Sequence, residues 1–488
     1  MQTFKSTPSF FIFLYFTFIS SMFIYHHGFS QTCNSITLRH QADIISTCNQ
    51  MVMTMKHDVL DRPYLYVANK EAGLKIYNIS NLASPMLTAS VPTKLYDSLE
   101  VMNLTQSGNY LYLALGNHFT NPQQGGMAIV DVSNPMEPVV TDFYILPGSN
   151  SGAGVVKVQD DIAYLGAMQS GLVLLDITDK NNILFVSQLI PDINFPVAKP
   201  PNANLYNARG LEVKGDLVYL GYDAGGLRLI NCKNKLKPVE SGRYANPALY
   251  QPFNLPRAYN NLVLDEPYVY IAVDYCGMEV LNISDTGNIK LTGWWNPYNC
   301  PANNWFTSPV HANEITHDTK NKLLFLSTGR SDAVILDIVD PAAPLLCKQY
   351  GENADGLATW GISSHKNEVY LSYICALGIP FFANWTGIKL LTYTPMSTPN
   401  HESPDIKSIN VFPNPITNQF TIKWTGNLKN ESRLILYNLL GQKIYDQKYI
   451  NTENELNIAT STFLPGAYFI HLILNEDTVF TRKILISK

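Results

Sequence analysis

One short strand is written seven times in this chain: "GLKIYNISN" at Gly73, "GMAIVDVSN" at Gly126, "GLVLLDITD" at Gly171, "GLRLINCKN" at Gly226, "GMEVLNISD" at Gly277, "DAVILDIVD" at Asp332 and "GIKLLTYTP" at Gly387. Successive copies begin 53, 45, 55, 51, 55 and 55 residues apart. A period near 50 is the mark of a repeat architecture, in which no unit buries its apolar face alone. A second strand precedes each copy and carries an aromatic residue at a fixed place: Tyr66, Tyr112, Tyr164, Tyr219, Tyr270, Phe325 and Tyr370. A third, less regular strand comes before that, and a fourth follows each Asp or Asn turn. Four strands per unit, joined by Gly, Asn and Asp turns without helical periodicity, describe a propeller blade.

The expected fold is therefore all-β, a seven-bladed β-propeller spanning residues 31–395. The seventh copy stops near Thr394 without a fourth strand, and an unpaired blade would leave an open sheet edge. Residues 35–40, "SITLRH", are the spare strand expected to close blade seven. The recurrent aromatics read as core, because truncating one such ring costs about 3–5 kcal/mol. The recurrent Asp or Asn after the third strand reads as a turn former bonding its own backbone.

Residues 1–30 form a signal peptide pattern, with one Lys, an apolar run over residues 10–25 and small residues at Gly28 and Ser30. That run is too short for a membrane span, so no transmembrane span is expected in the mature chain. Export makes the seven cysteines candidates for disulfides. Cys276 and Cys300 are expected on one face flanking blade five, with Cys33–Cys48 and Cys347–Cys375 as weaker pairings and Cys232 as a buried thiol. Charged residues make up only 15%, and Lys and Arg are scattered, which excludes a nucleic-acid footprint.

After a polar linker at residues 396–405 the texture changes. Residues 406–488 hold some eight tenths of a hundred residues of short strands, which suggests a small β-sandwich.

Two resemblances attach to these motifs. "GLVLLDITD", "GMAIVDVSNP" and "AVILDIVDP" resemble the LVIVD repeat family, which implies a propeller in an exported bacterial protein and no particular activity. Asp332 in place of Gly in copy six, and Thr392 in place of Asp or Asn in copy seven, depart from its pattern. "VFPNP", "LYNLLGQKI", "LPGAYFIHL" and "RKILISK" resemble the type A C-terminal sorting domain of the type IX secretion system. That resemblance implies the type IX machinery as a partner, passage across the outer membrane, and an extracellular or cell-surface location.

No nucleophile elbow, metalloprotease motif, phosphate loop or calcium loop occurs. His311, Glu314 and His317 in "VHANEITHD" are too far apart along a strand to share a metal ion, so no metal, cofactor or catalytic set is assigned. Propeller ligands meet the face formed by loops entering the inner strands and loops joining strands two and three. That mouth is expected to gather Asp97, Arg209, Asn260, His311, Asn313 and Trp360 from the first set. His118, Tyr222, Asp223, Asp274, Tyr275 and Arg330 come from the second, with long insertions at residues 116–126 and 375–387. The sequence favours a non-enzymatic binding or adhesion protein for an unknown glycan, peptide or protein. The alternative is an extracellular hydrolase or lyase acting on a polymer, which should place two ionisable groups of shifted pKa in one deep pocket. A scaffold would instead expose an apolar patch on the rim.

Overall fold

The structure is a computed structural model that describes residues 36–119, 121–250, 258–300, 308, 310–330, 332–352, 356–378, 381–394, 408–425, 431–438, 442–450, 455–474 and 477–487. The signal segment at 1–30 and the linker at 396–405 lie outside them. Two compact units divide the chain, Met1–Tyr393 and Thr394–Lys488.

The first unit is all-β among its described residues apart from short 3-10 turns. It holds seven four-stranded antiparallel sheets whose inner strands are Thr54–His57, Val101–Ser107, Val155–Gln159, Gly210–Lys214, Tyr259–Asp265, Ile315–Asp318 and Thr359–His365. Each inner strand packs beside the next and the last packs beside the first, so the sheets form a closed propeller. In the last sheet the outer position is taken by Thr37–Ile45, which lies beside Gly387–Thr394. Gln41 Nε2 donates to Thr392 Oγ1 at 2.9 Å across this seam, and Cys48 is bonded to Cys375. Cys48 therefore pairs with neither Cys33 nor a near neighbour in sequence. Cys347 is also disulfide-bonded, and Cys33 lies outside the described residues.

The repeat has a local cause at each blade. Asn78, Asp131, Asp176, Asn231, Asn282 and Asp337 each accept a hydrogen bond on the side chain from the N–H two residues on. Asn81, Asn134, Asp179, Asn234, Asp285 and Asp340 repeat the same turn three residues later. These paired turns reverse the chain into strand four. Copy seven needs no such reversal, because its outer strand comes from the N-terminus, and Thr392 stands where the turn former would be.

The recurrent aromatics are all buried between blades. The Gly opening strand three has φ of +85° at Gly73 and +78° at Gly277, and a Cβ there would meet a strand-four carbonyl at 2.2 and 2.1 Å. Blade six inverts this arrangement. Asp332 occupies the position, and Gly351, just past the end of strand four at Tyr350, gives way, since a Cβ on Gly351 would lie 2.0 Å from Asp332 Oδ2.

Two residues later in the repeat stand Lys75, Arg228, Glu279 and Lys389 in copies one, four, five and seven, against Ala128, Val173 and Val334 in the others, and in blades four and five the charged side chain is fully buried. Arg228 and Glu279 are each 0% exposed. Arg228 donates to the carbonyls of Asp192 (3.0 Å) and Phe195 (2.9 Å), fastening the long connection from blade three, and forms a bidentate contact with Glu240. Glu279 accepts from Asn246 Nδ2 at 2.7 Å and Tyr259 Oη at 2.9 Å, fastening the connection from blade four. In blades four and five this register position thus holds the connection from the preceding blade.

In the second unit, a three-stranded sheet (Ser408–Phe412, Gln419–Thr425, Glu455–Ala459) and a four-stranded sheet (Glu431–Asn438, Lys443–Ile450, Gly466–Leu474, Asp477–Ile486) share one core. Phe420, Ile422 and Ile458 meet Leu434, Leu436, Ile470 and Ile484 there, which makes it a β-sandwich.

Candidate ligand-binding mouth

Arg209 enters the inner strand of blade four. Its guanidinium donates to Asn313 Oδ1 at 3.2 Å and lies 5.4 Å from the centre of the Trp360 ring. Asn313 is itself fixed, donating from Nδ2 to the Trp360 carbonyl at 2.9 Å. Asn260 donates to the Ala312 carbonyl at 2.7 Å, but its buried Oδ1 accepts no hydrogen bond among the described residues.

His118 sits on the 116–126 insertion beside Phe119, whose ring meets Trp360 edge-on at 5.3 Å. Both imidazole nitrogens of His118 are buried without a partner among the described residues. Burial, reinforced by the Arg209 and Lys70 charges, holds its pKa down at about 3. The ring is therefore neutral at physiological pH, with one donor and one acceptor unspent.

Arg209, Asn260, Asn313, Trp360 and His118 line a pocket at the top of the central channel together with Thr54, Asn103, Asn261 and Glu314. Its volume is about 20 Å³, which is room for a water molecule and no more. Glu314 accepts from Asn261 Nδ2 at 2.5 Å, and burial pushes its carboxyl pKa up. His118 and Arg209 also bound a neighbouring cleft of about 310 Å³, built by Phe119, Asn150, Ser151, Gln169, Asn204 and Asn207 among others. That volume reaches the lower end of small-molecule sites, roughly 300–1,000 Å³.

A second cluster meets the first through Trp360. His311 Nε2 lies 2.7 Å from Asp274 Oδ1, the Tyr275 ring stands edge-on to the imidazole at 5.0 Å, and Trp360 stacks at 6.3 Å. Asp223 accepts from Asn207 Nδ2 at 2.8 Å. Its pKa is pushed up to about 6 by burial, against the opposing pull of Arg209. Cys276 and Cys300 form a disulfide with Cα atoms 5.2 Å apart. Tyr222 is buried beneath the surface against Tyr206 and Arg228, while Asp97 and Arg330 are exposed and line neither cavity. Among the described residues no His, Cys, Asp and Glu side chains cluster as a metal site.

Sequence reasoning did not select Phe119, Asn150, Ser151, Gln169, Asn204, Asn207 or Glu314. Asn204 and Asn207 lie on the connection between Leu184–Leu189 and Gly210–Lys214, which the copy spacing does not single out, since three of the six intervals are 55 residues.

Two family models match the chain, one in each unit. The LVIVD repeat family matches residues 62–93, 100–144, 152–189 and 257–296, and the secretion system C-terminal sorting domain matches residues 410–487. An 87-residue stretch is 32% identical to the ulvan lyase NLR42 of Nonlabens ulvanivorans, covering 18% of this chain and 16% of that enzyme. Among solved structures, PorZ of Porphyromonas gingivalis, a surface component of the type IX secretion system, aligns over 90% of this chain and 66% of its own at 12% identity and a TM-score of 0.40. Sqt1 of Saccharomyces cerevisiae aligns over 79% and 96% at 9% identity and a TM-score of 0.48. This chain therefore spans a minor part of the lyase and just under two thirds of PorZ. No described helix is long and apolar enough to cross a membrane. The sorting domain marks the chain for type IX secretion, across the outer membrane to the cell surface or the extracellular space, and this is an LVIVD-repeat β-propeller protein carrying a C-terminal type IX sorting domain.

Proposed function

We propose that this protein is a non-enzymatic binding protein, which takes a glycan, peptide or protein ligand at the propeller mouth outside the cell. One observation carries the reading. Both His118 nitrogens and Asn260 Oδ1 are buried without partners among the described residues, beside Arg209, Trp360 and an open cleft. Buried polar atoms are almost always satisfied, and an exception marks a place where water or ligand supplies the missing bond. An array of glycans and peptides probed with the full secreted chain tests it. Specific binding that weakens in His118→Ala supports the reading, and an array without a single specific signal overturns it.

A hydrolase or lyase acting on an extracellular polymer is the second reading, favoured by the Asp274–His311 contact and by two groups of shifted pKa, His118 and Glu314, at one pocket. It ranks second because that pocket has room for a water but not for a substrate atom beside it. Turnover of a polysaccharide by the purified chain would reverse the order. A scaffold role would draw on exposed outer-strand pairs such as Met86 and Leu87 or Leu345 and Leu346, but these recur with the blade register.

A further inference from the structure

Among the described residues lining the 310 Å³ cleft, Arg209 carries the one formal charge and no carboxylate is present. One of its N–H groups is engaged, by Asn313, out of the five a guanidinium offers. Around it stand neutral hydrogen-bonding groups: the unpartnered imidazole of His118, the hydroxyl of Ser151 and the side-chain amides of Asn150, Gln169 and Asn204. The Phe119 ring forms an apolar wall. Asp223, whose carboxylate would oppose the cation, is turned to Asn207 and is not among the lining residues.

One cation, several neutral donors and acceptors, and one aromatic face complement a ring that carries one anion, several hydroxyls and an apolar face. We propose that this cleft is a subsite for an acidic saccharide, in which a carboxylate or sulfate pairs with Arg209, hydroxyls meet the amides and His118, and Phe119 covers the ring. The proposal rests on the mouth being the binding surface. An acidic peptide fits less well, since it would satisfy Arg209 but leave most of the amides without hydroxyl partners. Guanidinium–anion hydrogen bonds are about twice as strong as neutral ones and geometrically selective.

The test is equilibrium binding of the full chain to a galacturonate tetrasaccharide, a sulfated galactan tetrasaccharide, a neutral galactose tetrasaccharide and a glutamate hexapeptide. At least one acidic saccharide is expected to bind about tenfold or more tighter than the neutral one, and the two acidic arms separate carboxylate from sulfate. Arg209→Gln should erase that preference, while Phe119→Ala should weaken acidic and neutral sugars alike. Should Arg209→Gln fail to fold, raised ionic strength applied to the unaltered chain gives the same readout, weakening the acidic sugars selectively. Equal binding of neutral and acidic sugars overturns the acidic subsite and leaves the mouth reading standing. Binding of the glutamate peptide alone overturns the saccharide assignment. Silence in all four arms, joined to a silent array, removes both.

Discussion

Two clusters in this propeller bury hydrogen-bonding atoms and differ in satisfaction. Around Glu279, Asn246 N–H donates to Tyr259 Oη at 2.9 Å, Tyr259 donates to Glu279 Oε2, and Asn246 Nδ2 donates to Glu279 Oε1, so the chain of bonds is complete. Around His118 and Asn260, three buried atoms have no partner among the described residues. A completed network rigidifies a fold, whereas an incomplete one is a standing cost that a ligand can relieve. The first cluster is therefore read as scaffold and the second as site.

The largest effect is expected at Glu279. Glu279→Ala strands the Asn246 amide and the Tyr259 hydroxyl and opens a cavity, and should lower stability by about 4 kcal/mol, read by urea unfolding of the full chain. A loss below about 1 kcal/mol would mean that the completed network holds nothing. The next effect concerns pH. Burial raises the Glu279 pKa from 4.5 to about 7. A carboxyl whose folded pKa is raised favours folding while protonated, so its contribution is full below pH 4.5 and is lost as pH climbs to and beyond 7. The loss should reach about 3 kcal/mol by pH 8, and Glu279→Gln should flatten that slope. An unchanged slope in the variant would assign the pH dependence elsewhere.

What the sequence made legible follows the same division. Strand order, the aromatic core and the Asx turns depend on local periodicity and turn chemistry, so seven imperfect copies display them. The exchange at Asp332 and Gly351 was half visible: the missing Gly stood out, but its compensation lies just past strand four, which comes beside it only in the folded sheet. Arg228 and Glu279 stood in plain view at one register position, but Lys75 and Lys389 are charged there too, and which of the four is fully buried shows only when the partners on loops from the preceding blade are known. The mouth was legible as a face and not as a cavity. His118, Arg209, Asn260, Asn313 and Trp360 come together at one pocket, whereas Asp97 and Arg330 share the face without reaching it.

A smaller change in stability, with a large change in binding, is expected at His118. Because nothing described depends on its nitrogens, His118→Asn should change stability at neutral pH by no more than about 1 kcal/mol, while lowering signals on the array about tenfold. Its pKa is depressed from 6.5 to about 3, so protonation opposes folding, and the unaltered chain should lose stability as pH falls below 6.5. The variant should lose less over the same range. Unfolding of His118→Asn at pH 7 would place this residue with Glu279 among the scaffold groups and erase the distinction.

The smallest effect belongs to Asp274, and it separates binding from catalysis. Asp274→Asn keeps an acceptor facing His311 Nε2, so thermal unfolding should shift by the equivalent of less than about 1 kcal/mol. Asp274 lines neither cavity, so affinity at the cleft should not change. A base, by contrast, depends on the carboxylate that orients and polarises its imidazole, and loss of that charge would lower turnover of any polymer by orders of magnitude. If the variant binds as the unaltered chain does and neither turns over polysaccharide, the Asp274–His311 pair belongs with the scaffold and the binding reading stands. If the unaltered chain depolymerises a glycan and the variant does not, His311 and Asp274 form the working centre, and the unsatisfied atoms around His118 hold substrate for it.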